Sequence, residues 1–214
     1  MTNSFQRDFI QLSLACQALR LGRFTTKAGR ISPYFFDAGL FNNGVAMRHL
    51  AHFYMQAIVT NGIPFDMLFG PAYKGIVLAS SVAMAFAATH ERALPFAYNR
   101  KENKDHGEGG CLVGAPLQGR VLIVDDVISA GGSVREAVHL IQNAGATPVG
   151  VAIALDRMER GQGTHTAVQE VRHALGLPVF AIATLDDLLE YLADIPAFST
   201  DLQAIHTYRQ MYGA

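Results

Sequence analysis

Two adjacent carboxylates, Asp125 and Asp126, stand between an apolar run and a turn of small residues. The run 121–124 is mostly β-branched, which is typical of a buried strand. The turn 129–133 opens a stretch whose apolar residues recur at helical spacing. Amides in such a turn bind anions, because unpaired N–H groups and the helix dipole both favour negative charge. The acids would repel a bare phosphate, so the pattern favours a sugar phosphate, with ribose hydroxyls on the carboxylates and the phosphate on the amides.

Two other interpretations of this stretch compete with the sugar-phosphate site. One is an ordinary strand-to-helix turn with two solvated aspartates. The other is the acidic pocket of a receiver domain, but a receiver would place its acidic pair near the first strand, not beyond residue 120. The complete order of strand, acids, turn and helix favours the sugar phosphate, because it is more specific than an isolated glycine motif.

Lysine is unusually scarce in this chain. Of 17 basic residues, 13 are arginines and only four are lysines: Lys27, Lys74, Lys101 and Lys104. A compositional bias toward arginine explains the small number, but not which positions keep the ammonium group. An ammonium is a compact charge that follows a migrating phosphate in a way that a planar guanidinium fork does not.

Three of these lysines lie in segments that follow predicted strands. Lys74, in the segment 69–75, lies at the mouth of a helix, where the dipole disfavours a cation. That position indicates an anionic ligand, and a loop lysine that points into water is the alternative. The polar segment 99–110 ends in glycines and contains Lys101 and Lys104. It is typical either of a lid over a site or of a surface loop.

Two further segments carry candidate binding residues. Lys27 and the segment 30–37 form a predicted hairpin, in which Phe35 and Phe36 must point to opposite faces. One of them is then free to face a ligand, although packing of both in apolar surroundings is the alternative. Arg157 follows another predicted strand, where its fork suits a planar carboxylate. A salt bridge to Asp156 or Glu159 is the competing interpretation.

Hydrophobic periodicity predicts alternating strands and helices after the hairpin. Core strands are predicted at 65–69, 94–98, 121–124, 148–155 and 179–184, and hairpin strands at 23–27 and 31–37. Helices are predicted at 5–21, 42–61, 74–89, 133–144, 165–175, 187–193 and 198–214. This alternation predicts an α/β fold with an open, mainly parallel sheet flanked by helices.

We expect a single domain over residues 1–214, with a small N-terminal hood at about 1–40 that contains the β-hairpin and a core at about 41–214. Ligands of such sheets bind beyond the carboxyl ends of the strands. The residue pairs 69–70, 98–99, 125–126 and 156–157 should therefore line one edge.

Composition excludes several classes of protein. The net charge of −1 gives no broad basic surface for nucleic acid, and no uncharged run has the length of a membrane span. The first residues lack the basic and apolar blocks of a secretory signal. Cys16 and Cys111 form neither a disulfide framework nor a metal motif. We expect a cytoplasmic protein with no nucleic-acid or membrane partner.

Together these motifs resemble the orotate phosphoribosyltransferases, which belong to the type I phosphoribosyltransferase family. The likeness covers nearly the whole chain and places all four lysines at positions where that family contacts its donor or its base. It implies the type I phosphoribosyltransferase fold and a Mg²⁺-dependent transfer of ribose 5-phosphate from phosphoribosyl diphosphate to N1 of orotate. The products would be orotidine 5′-phosphate and diphosphate, in pyrimidine biosynthesis. It also implies a homodimer whose mobile loop 100–110 acts across the interface.

The resemblance assigns roles to individual residues. Catalytic roles fall to Lys101, Lys104, His106, Asp125 and Asp126. Phosphoribosyl diphosphate would contact Lys27, Tyr73, Lys74, Arg100, Lys101, Lys104, His106, Asp125, Asp126, Val127, Ile128, Ser129, Ala130, Gly131, Gly132 and Ser133. Orotate would contact Lys27, Phe35, Phe36, Ser129 and Arg157. No residue is assigned as a direct metal ligand, because the Mg²⁺ is carried by the phosphoribosyl diphosphate.

The chain departs from the family pattern at Ser129, where threonine is usual, and at Gly132-Ser133, where relatives often carry Thr-Ala. Two alternatives for the function stay open. A purine phosphoribosyltransferase is disfavoured by Arg157, because a purine offers no carboxylate. A non-catalytic regulator that binds phosphoribosyl diphosphate is disfavoured by the net charge of −1 and by the complete basic set of the loop.

Overall fold

The expected α/β fold is confirmed by a computed structural model, which describes residues 4–26, 29–104, 110–161 and 163–214. A six-stranded sheet has the order β5-β4-β3-β6-β7-β8, and a separate two-stranded sheet pairs β1 with β2. The strands are β1 (Leu19–Thr25), β2 (Ile31–Phe36), β3 (Met67–Gly70), β4 (Phe96–Lys104), β5 (Gly110–Gly114), β6 (Arg120–Val124), β7 (Thr147–Asp156) and β8 (Val179–Thr184). All neighbours in the large sheet are parallel except β4 and β5.

Helices cover both faces of the large sheet. They are α1 (Ser4–Ala15), α2 (Gly44–Asn61), α3 (Lys74–His90), α4 (Gly132–Asn143), α5 (Ala167–Leu175), α6 (Leu185–Ala193) and α7 (Ser199–Tyr212). On one face, buried residues of α4 and α5 pack on Phe69, Ile123 and Ile153. On the other, α1, α2, α3, α6 and α7 pack on Leu68 and Leu122. Successive residues of a strand are thus buried in opposite cores. Because both faces are covered, the strand sequences are continuous apolar runs. In the part of the chain described, no helix is both long and apolar enough to span a membrane.

The prediction for the N-terminal segment was partly wrong. The helix predicted to reach residue 21 ends at Ala15, and Leu19 to Leu21 belong to the hairpin strand β1. Gln17 adopts a positive φ of 57°, which is incompatible with a helix. The helix therefore ends although the apolar residues keep a helical spacing as far as residue 21. Pairing of Leu19 with Phe36 lengthens the hairpin beyond its predicted start. Leu19 fits the apolar spacing of a helix, but in the structure it is a buried residue of strand β1.

The polar segment after residue 98 is also more regular than expected. Its first part, up to Lys104, continues β4 and pairs antiparallel with β5, a strand that hydrophobic periodicity had not indicated. Residues 105–109 lie outside the described part of the chain. The apolar part of β5, residues 111–113, is only three residues long, so sequence periodicity gives little sign of the strand; pairing with β4 and packing of Leu112 against the core stabilise it.

Two glycine-containing turns bring backbone close to the carboxyl edge of the sheet. A Cβ at Gly70 would lie 1.9 Å from the carbonyl oxygen of Gly75, so the β3–α3 turn closes only with glycine there. Gly131 precedes α4 with a φ of 68°, and a Cβ there would lie 2.5 Å from Cγ2 of buried Val171. A Cβ on the adjacent Gly132 would meet nothing within 4 Å. The two neighbouring glycines therefore have opposite requirements.

Gly131→Ala and Gly132→Ala form a matched pair that tests this turn. We expect Gly131→Ala to lower the free energy of unfolding by about 2 kcal/mol or more, through left-handed strain and the collision with Val171. Gly132→Ala should change it by about +0.5 to +1 kcal/mol, because alanine restricts the unfolded chain and fits the helix. Urea unfolding followed by circular dichroism measures both values. Equal destabilisation by the two substitutions would contradict this account.

Candidate functional site

Asp125 and Asp126 are buried at the carboxyl end of β6, with residue exposures of 6% and 8%. The Asp125 carboxylate accepts hydrogen bonds from the amide of Asp126 at 3.0 Å and from the hydroxyl of Ser133 at 2.9 Å. The Asp126 carboxylate accepts from the amide of Val127 at 2.8 Å. Buried carboxylates need such partners to stay charged. Each carboxylate oxygen has a second lone pair, so Asp125 and Asp126 can also accept hydrogen bonds from ligand hydroxyls.

The ammonium group of Lys74 lies between two carboxylates. Its Nζ is 2.7 Å from Oδ2 of Asp126 and 2.9 Å from Oδ1 of Asp37. Burial by itself would lower the pKa of Lys74, but the hydrogen bonds to Asp126 and Asp37 outweigh it and raise the pKa. The hydrogen bond from Lys74 lowers the pKa of Asp37. Lys74 is therefore a fully charged cation at the sheet edge and does not point freely into water.

Burial and a like-charged neighbour both disfavour the charged form of Asp125. Burial, with repulsion from Asp126, raises the pKa of Asp125 to about 6, although the hydrogen bonds from Asp126 and Ser133 oppose the shift. The hydroxyl of Tyr54, buried in α2, donates to the carbonyl oxygen of Asp125 at 2.7 Å. The strand end is thus fixed from below while its charge is held in a poorly solvated place.

The turn 129–133 offers backbone donors at the start of α4. Within the described ranges, the amides of Ser129, Ala130, Gly131, Gly132 and Ser133 donate to no other protein group. Ser129, Ala130 and Gly132 are exposed. Unpaired amides at a helix N-terminus attract an anion. This donor set lies directly beside the two carboxylates, because Ser133 is hydrogen-bonded to Asp125.

A buried amide side chain joins the other turns of this edge. Asn99, 2% exposed, accepts a hydrogen bond from the amide of Ala72 at 2.9 Å. Its Nδ2 donates to Glu136 of α4 at 3.3 Å, and the same glutamate lies 3.6 Å from Nζ of Lys101. The β3–α3 turn, β4 and α4 are therefore tied together at one point. Lys101, the second lysine of the site, is paired with Glu136 at this junction.

The hairpin separates its two phenylalanines as alternation predicts. Phe36 is 5% exposed and packs near the rings of Phe9 and Phe41. Phe35 lies on the other face, only partly buried, with its ring centroid 5.7 Å from that of Phe24. The Arg20 guanidinium carbon lies 5.4 Å from the centroid of the Phe35 ring. Phe35 thus presents an aromatic surface beside a positive charge.

Arg157 forms an ion pair with Glu159. Its Nη2 lies 2.6 Å from Oε1 of Glu159 and donates to the Ser32 hydroxyl at 3.1 Å, while the guanidinium lies over the ring of Tyr34. Burial alone would lower the pKa of Arg157, but Tyr34 and Glu159 raise it. A second arginine, Arg30, lies 3.8 Å from Glu159. The competing interpretation of Arg157, a salt bridge to Glu159, is thus confirmed, and the two arginines exceed the one glutamate by one positive charge.

The structure gathers most of the predicted site residues at the carboxyl edge. Contacts link Lys74, Lys101, Asp125, Asp126 and Ser133 to their neighbouring turns, as described above. Tyr73 lies at the same turn as Lys74 and is 70% exposed. Arg157 and the hairpin are joined to each other through Ser32. Lys27 and His106 lie outside the described residues, as does the side chain of Lys104, while Arg100 is half-buried on β4.

Sequence reasoning missed several residues that support the site. They are partners of the predicted groups Lys74, Asp125 and Lys101: Asp37, Tyr54 and Glu136, respectively. Tyr54 carried a usable signal, because a tyrosine on the apolar side of a helix must find a partner for its hydroxyl. Asp37 follows an extended segment, which is a weaker signal. Glu136 carried none, since its partner Lys101 is distant in sequence. Asn99 and Glu159 were expected, Asn99 at the edge of the sheet and Glu159 as a salt-bridge partner of Arg157.

The chain is similar to known proteins both in sequence and in structure. The family model for the phosphoribosyl transferase domain matches residues 40–173. An orotate phosphoribosyltransferase from Chromobacterium violaceum is 62% identical over 211 residues, which cover 99% of this chain and 98% of that protein. One from Laribacter hongkongensis is 61% identical over 211 residues, with 99% of each chain covered. The crystal structure of orotate phosphoribosyltransferase from Francisella tularensis superposes with a TM-score of 0.87 at 36% identity, covering 97% of this chain and 100% of that one.

The raised pKa of Asp125 predicts that replacing this aspartate with a neutral side chain stabilises the folded protein, and that the gain increases with pH. The folded protein holds this proton more tightly than the unfolded chain, whose value is near 3.8, so the wild type loses stability as pH rises from about 4 to about 6. Asp125→Asn removes that loss. We expect it to raise the free energy of unfolding by up to about 3 kcal/mol near pH 8 and by little near pH 4. Urea unfolding across this pH range measures the difference.

Glu102→Gln serves as the control for this experiment, because it removes an exposed carboxylate from β4. Its stability should follow the wild-type pH dependence. A stability difference between Asp125→Asn and wild type that is constant from about pH 4 to about pH 8 would show that Asp125 is not strained by burial.

Proposed function

Because the chain belongs to the orotate phosphoribosyltransferase family, we propose that it transfers ribose 5-phosphate from phosphoribosyl diphosphate to N1 of orotate. The products are orotidine 5′-phosphate and diphosphate, and the reaction is a step in the de novo synthesis of the pyrimidine nucleotide UMP. One observation carries the proposal. The buried pair Asp125–Asp126 lies between the Lys74 ammonium and the unpartnered amides of the turn 129–133.

The donor is bound by complementary groups on adjacent turns. The amides of 129–133 hold the 5′-phosphate, with the Ser129 hydroxyl beside them, and residues Val127 and Ile128 shape the approach. Asp125 and Asp126 accept from the ribose hydroxyls. Breaking the C1–O bond leaves positive charge on the ribose, and the two carboxylates stabilise that charge as it develops. Carboxylates fixed by hydrogen bonds before the reaction need no reorganisation during it.

The leaving diphosphate is bound by the cationic groups of the edge and the loop. They are Lys27, Tyr73, Lys74, Arg100, Lys101, Lys104 and His106. Fixed positive charge near the leaving group lowers the barrier, because it is felt most strongly when the C1–O bond is breaking. Closure of the loop 100–110 excludes water, which would otherwise capture the ribosyl cation. In the described part of that loop, Nζ of Lys101 lies 3.6 Å from the carboxylate of Glu136 in α4.

Mg²⁺ is expected to enter with the donor. It is a hard cation that prefers oxygen ligands, and the diphosphate supplies them, so it neutralises leaving-group charge when bound. Asp125 and Asp126 fit this arrangement, since their oxygens face ribose hydroxyls and are already engaged with Ser133, Val127 and Lys74. Within the described residues, no group of three or more His, Cys, Asp or Glu side chains forms a separate metal site.

Orotate is bound between the hairpin and the end of β7. Phe35 offers a ring face, Phe36 anchors the strand behind it, and Lys27 and Ser129 contribute polar contacts. The excess positive charge around Arg157 binds the carboxylate of orotate. Because orotate reacts as an anion at its ring nitrogen, no general base is assigned. A purine lacks this carboxylate, so the arginine cluster favours orotate over purines.

The active species is proposed to be a homodimer. In the part of the chain described, β5 is the edge strand of the large sheet and pairs with β4, so the segment that joins these two strands belongs to that edge. In this arrangement Lys104 and His106 act on the diphosphate in the neighbouring site. The expected cytoplasmic location agrees with a metabolic role of this kind.

An orotate-consumption assay tests the proposed function. With phosphoribosyl diphosphate and Mg²⁺ present, the absorbance of orotate should fall as orotidine 5′-phosphate forms, while hypoxanthine and uracil should give no comparable product. Diphosphate release should match orotate loss one for one. Donor binding without turnover of any base would instead identify a regulator, and preferential turnover of hypoxanthine would identify a purine enzyme.

Arg157→Lys tests the orotate site while retaining the charge that balances Glu159. Loss of the planar fork should raise the Michaelis constant for orotate by about ten- to a hundredfold, with a small change in turnover and in the donor constant. The control is Arg120→Lys, which alters an arginine paired with Asp66 at the opposite edge of the sheet. Initial rates with each substrate varied separately give both constants. A change confined to the donor constant would contradict the role given to Arg157.

A further inference from the structure

The Lys74 ammonium has two acidic partners of different character. Asp126, whose side chain is 12% exposed, belongs to the buried end of β6. Asp37, whose side chain is 33% exposed, directly follows hairpin strand β2. Both oxygen–nitrogen distances are short, at 2.7 Å and 2.9 Å. A single ammonium thus connects the hairpin to the paired acids of the sheet edge.

These three groups sum to one negative charge. A diphosphate that approaches Lys74 therefore meets an ammonium already compensated twice over, and it also meets direct repulsion from the carboxylates. Asp126 is required where it is, because it accepts from the ribose. Asp37 makes no such contact in the proposed mechanism, and its Oδ1 accepts from the amide of Gly39 at 3.0 Å as well as from Lys74.

We propose that Asp37 is a positioning residue that holds Lys74 in the ligand-free protein and competes with the diphosphate group of the donor for it. The inference rests on the proposed function, in which Lys74 binds that diphosphate. Asp37 keeps the ammonium ordered over Asp126 and limits donor affinity. When the donor binds, Lys74 exchanges the Asp37 carboxylate for a diphosphate oxygen. No covalent step is involved.

The position of Asp37 gives this exchange a second consequence. It is adjacent in sequence to Phe36, which anchors the strand that presents Phe35 to orotate. Release of Lys74 removes one of the contacts between the end of β2 and the donor site. By reciprocity of binding free energies, any effect of the donor on hairpin position equals the effect of hairpin ligands on donor affinity. Asp37 is therefore a link between the two substrate sites.

Asp37→Asn tests the competition because it removes charge and keeps shape. Asparagine retains an oxygen for the Gly39 amide and caps a turn as well as aspartate does. We expect the dissociation constant for phosphoribosyl diphosphate with Mg²⁺, measured by isothermal titration calorimetry, to fall roughly two- to fivefold, the range typical of one exposed ion pair. A substitution that only damaged the structure would weaken binding, so the direction of the change is diagnostic.

A double-mutant cycle with Lys74→Gln identifies the group through which Asp37 acts. In the Lys74→Gln background, Asp37→Asn should give a smaller gain than in the wild type, because no ammonium is left to release. Asp66→Asn, which alters an acid paired with Arg120 at the far edge, is the matched control and should leave the dissociation constant unchanged.

The outcomes separate the two levels of the argument. Failure of the wild type to bind the donor overturns the proposed function, and the inference falls with it. Donor binding by the wild type, with equal or weaker binding by Asp37→Asn, overturns the inference and leaves the proposed function standing. An equal gain in the wild-type and Lys74→Gln backgrounds also overturns it, because Asp37 would then act by general repulsion rather than through Lys74.

Discussion

The structure depends on a pair of carboxylates held charged at a buried strand end. Burial of Asp125 and Asp126 is unfavourable, and the surrounding elements compensate for it: α4 supplies the Ser133 hydroxyl, α3 supplies Lys74 and α2 fixes the backbone through Tyr54. The tight β3–α3 turn is needed to bring Lys74 to this place. The arrangement of the sheet edge therefore follows from the need to solvate two acids with protein groups.

A second ion-pair cluster fixes the hairpin relative to the sheet. Arg157 at the end of β7 bonds to Ser32 of β2 and lies over Tyr34, while Glu159 pairs with it and approaches Arg30. The hairpin also has apolar contacts, through Phe36 with Phe9 and Phe41. Because Lys74 also contacts Asp37, the hairpin meets the sheet at two charged points. Both points carry groups that the proposed reaction uses.

This construction places function and stability in opposition. The strained Asp125 carboxylate would be relaxed by a neutral side chain, and the amides of the turn 129–133, which have no partner among the described residues, by a capping group. They persist because a sugar phosphate with a diphosphate leaving group needs acceptors, donors and cations within one small volume. Both kinds of group gain hydrogen-bond partners from the bound ligand. Donor binding should therefore stabilise the fold by mass action.

Local sequence determined much of the fold, and it also determined the strand, the paired acids and the turn that form the centre of the site. The apolar run before Asp125, the small-residue turn after it and the periodicity of the later helices each depend on near neighbours, and the structure has those elements close to the predicted bounds. The end of α1 and the strand β5 did not follow from local sequence. Gln17 reverses the chain where spacing still favours a helix, and the apolar part of β5, residues 111–113, is too short to show a period.

Only the tertiary structure decided which charges meet. Asp37 and Lys74, Asn99 and Ala72, and Glu136 and Lys101 are brought together by the parallel sheet, whose crossovers place distant turns side by side. A sequence specifies the residue types that chemistry requires, because side-chain properties are local. It does not state their partners, because electrostatic and hydrogen-bond energies depend on distances that exist only after the chain has folded.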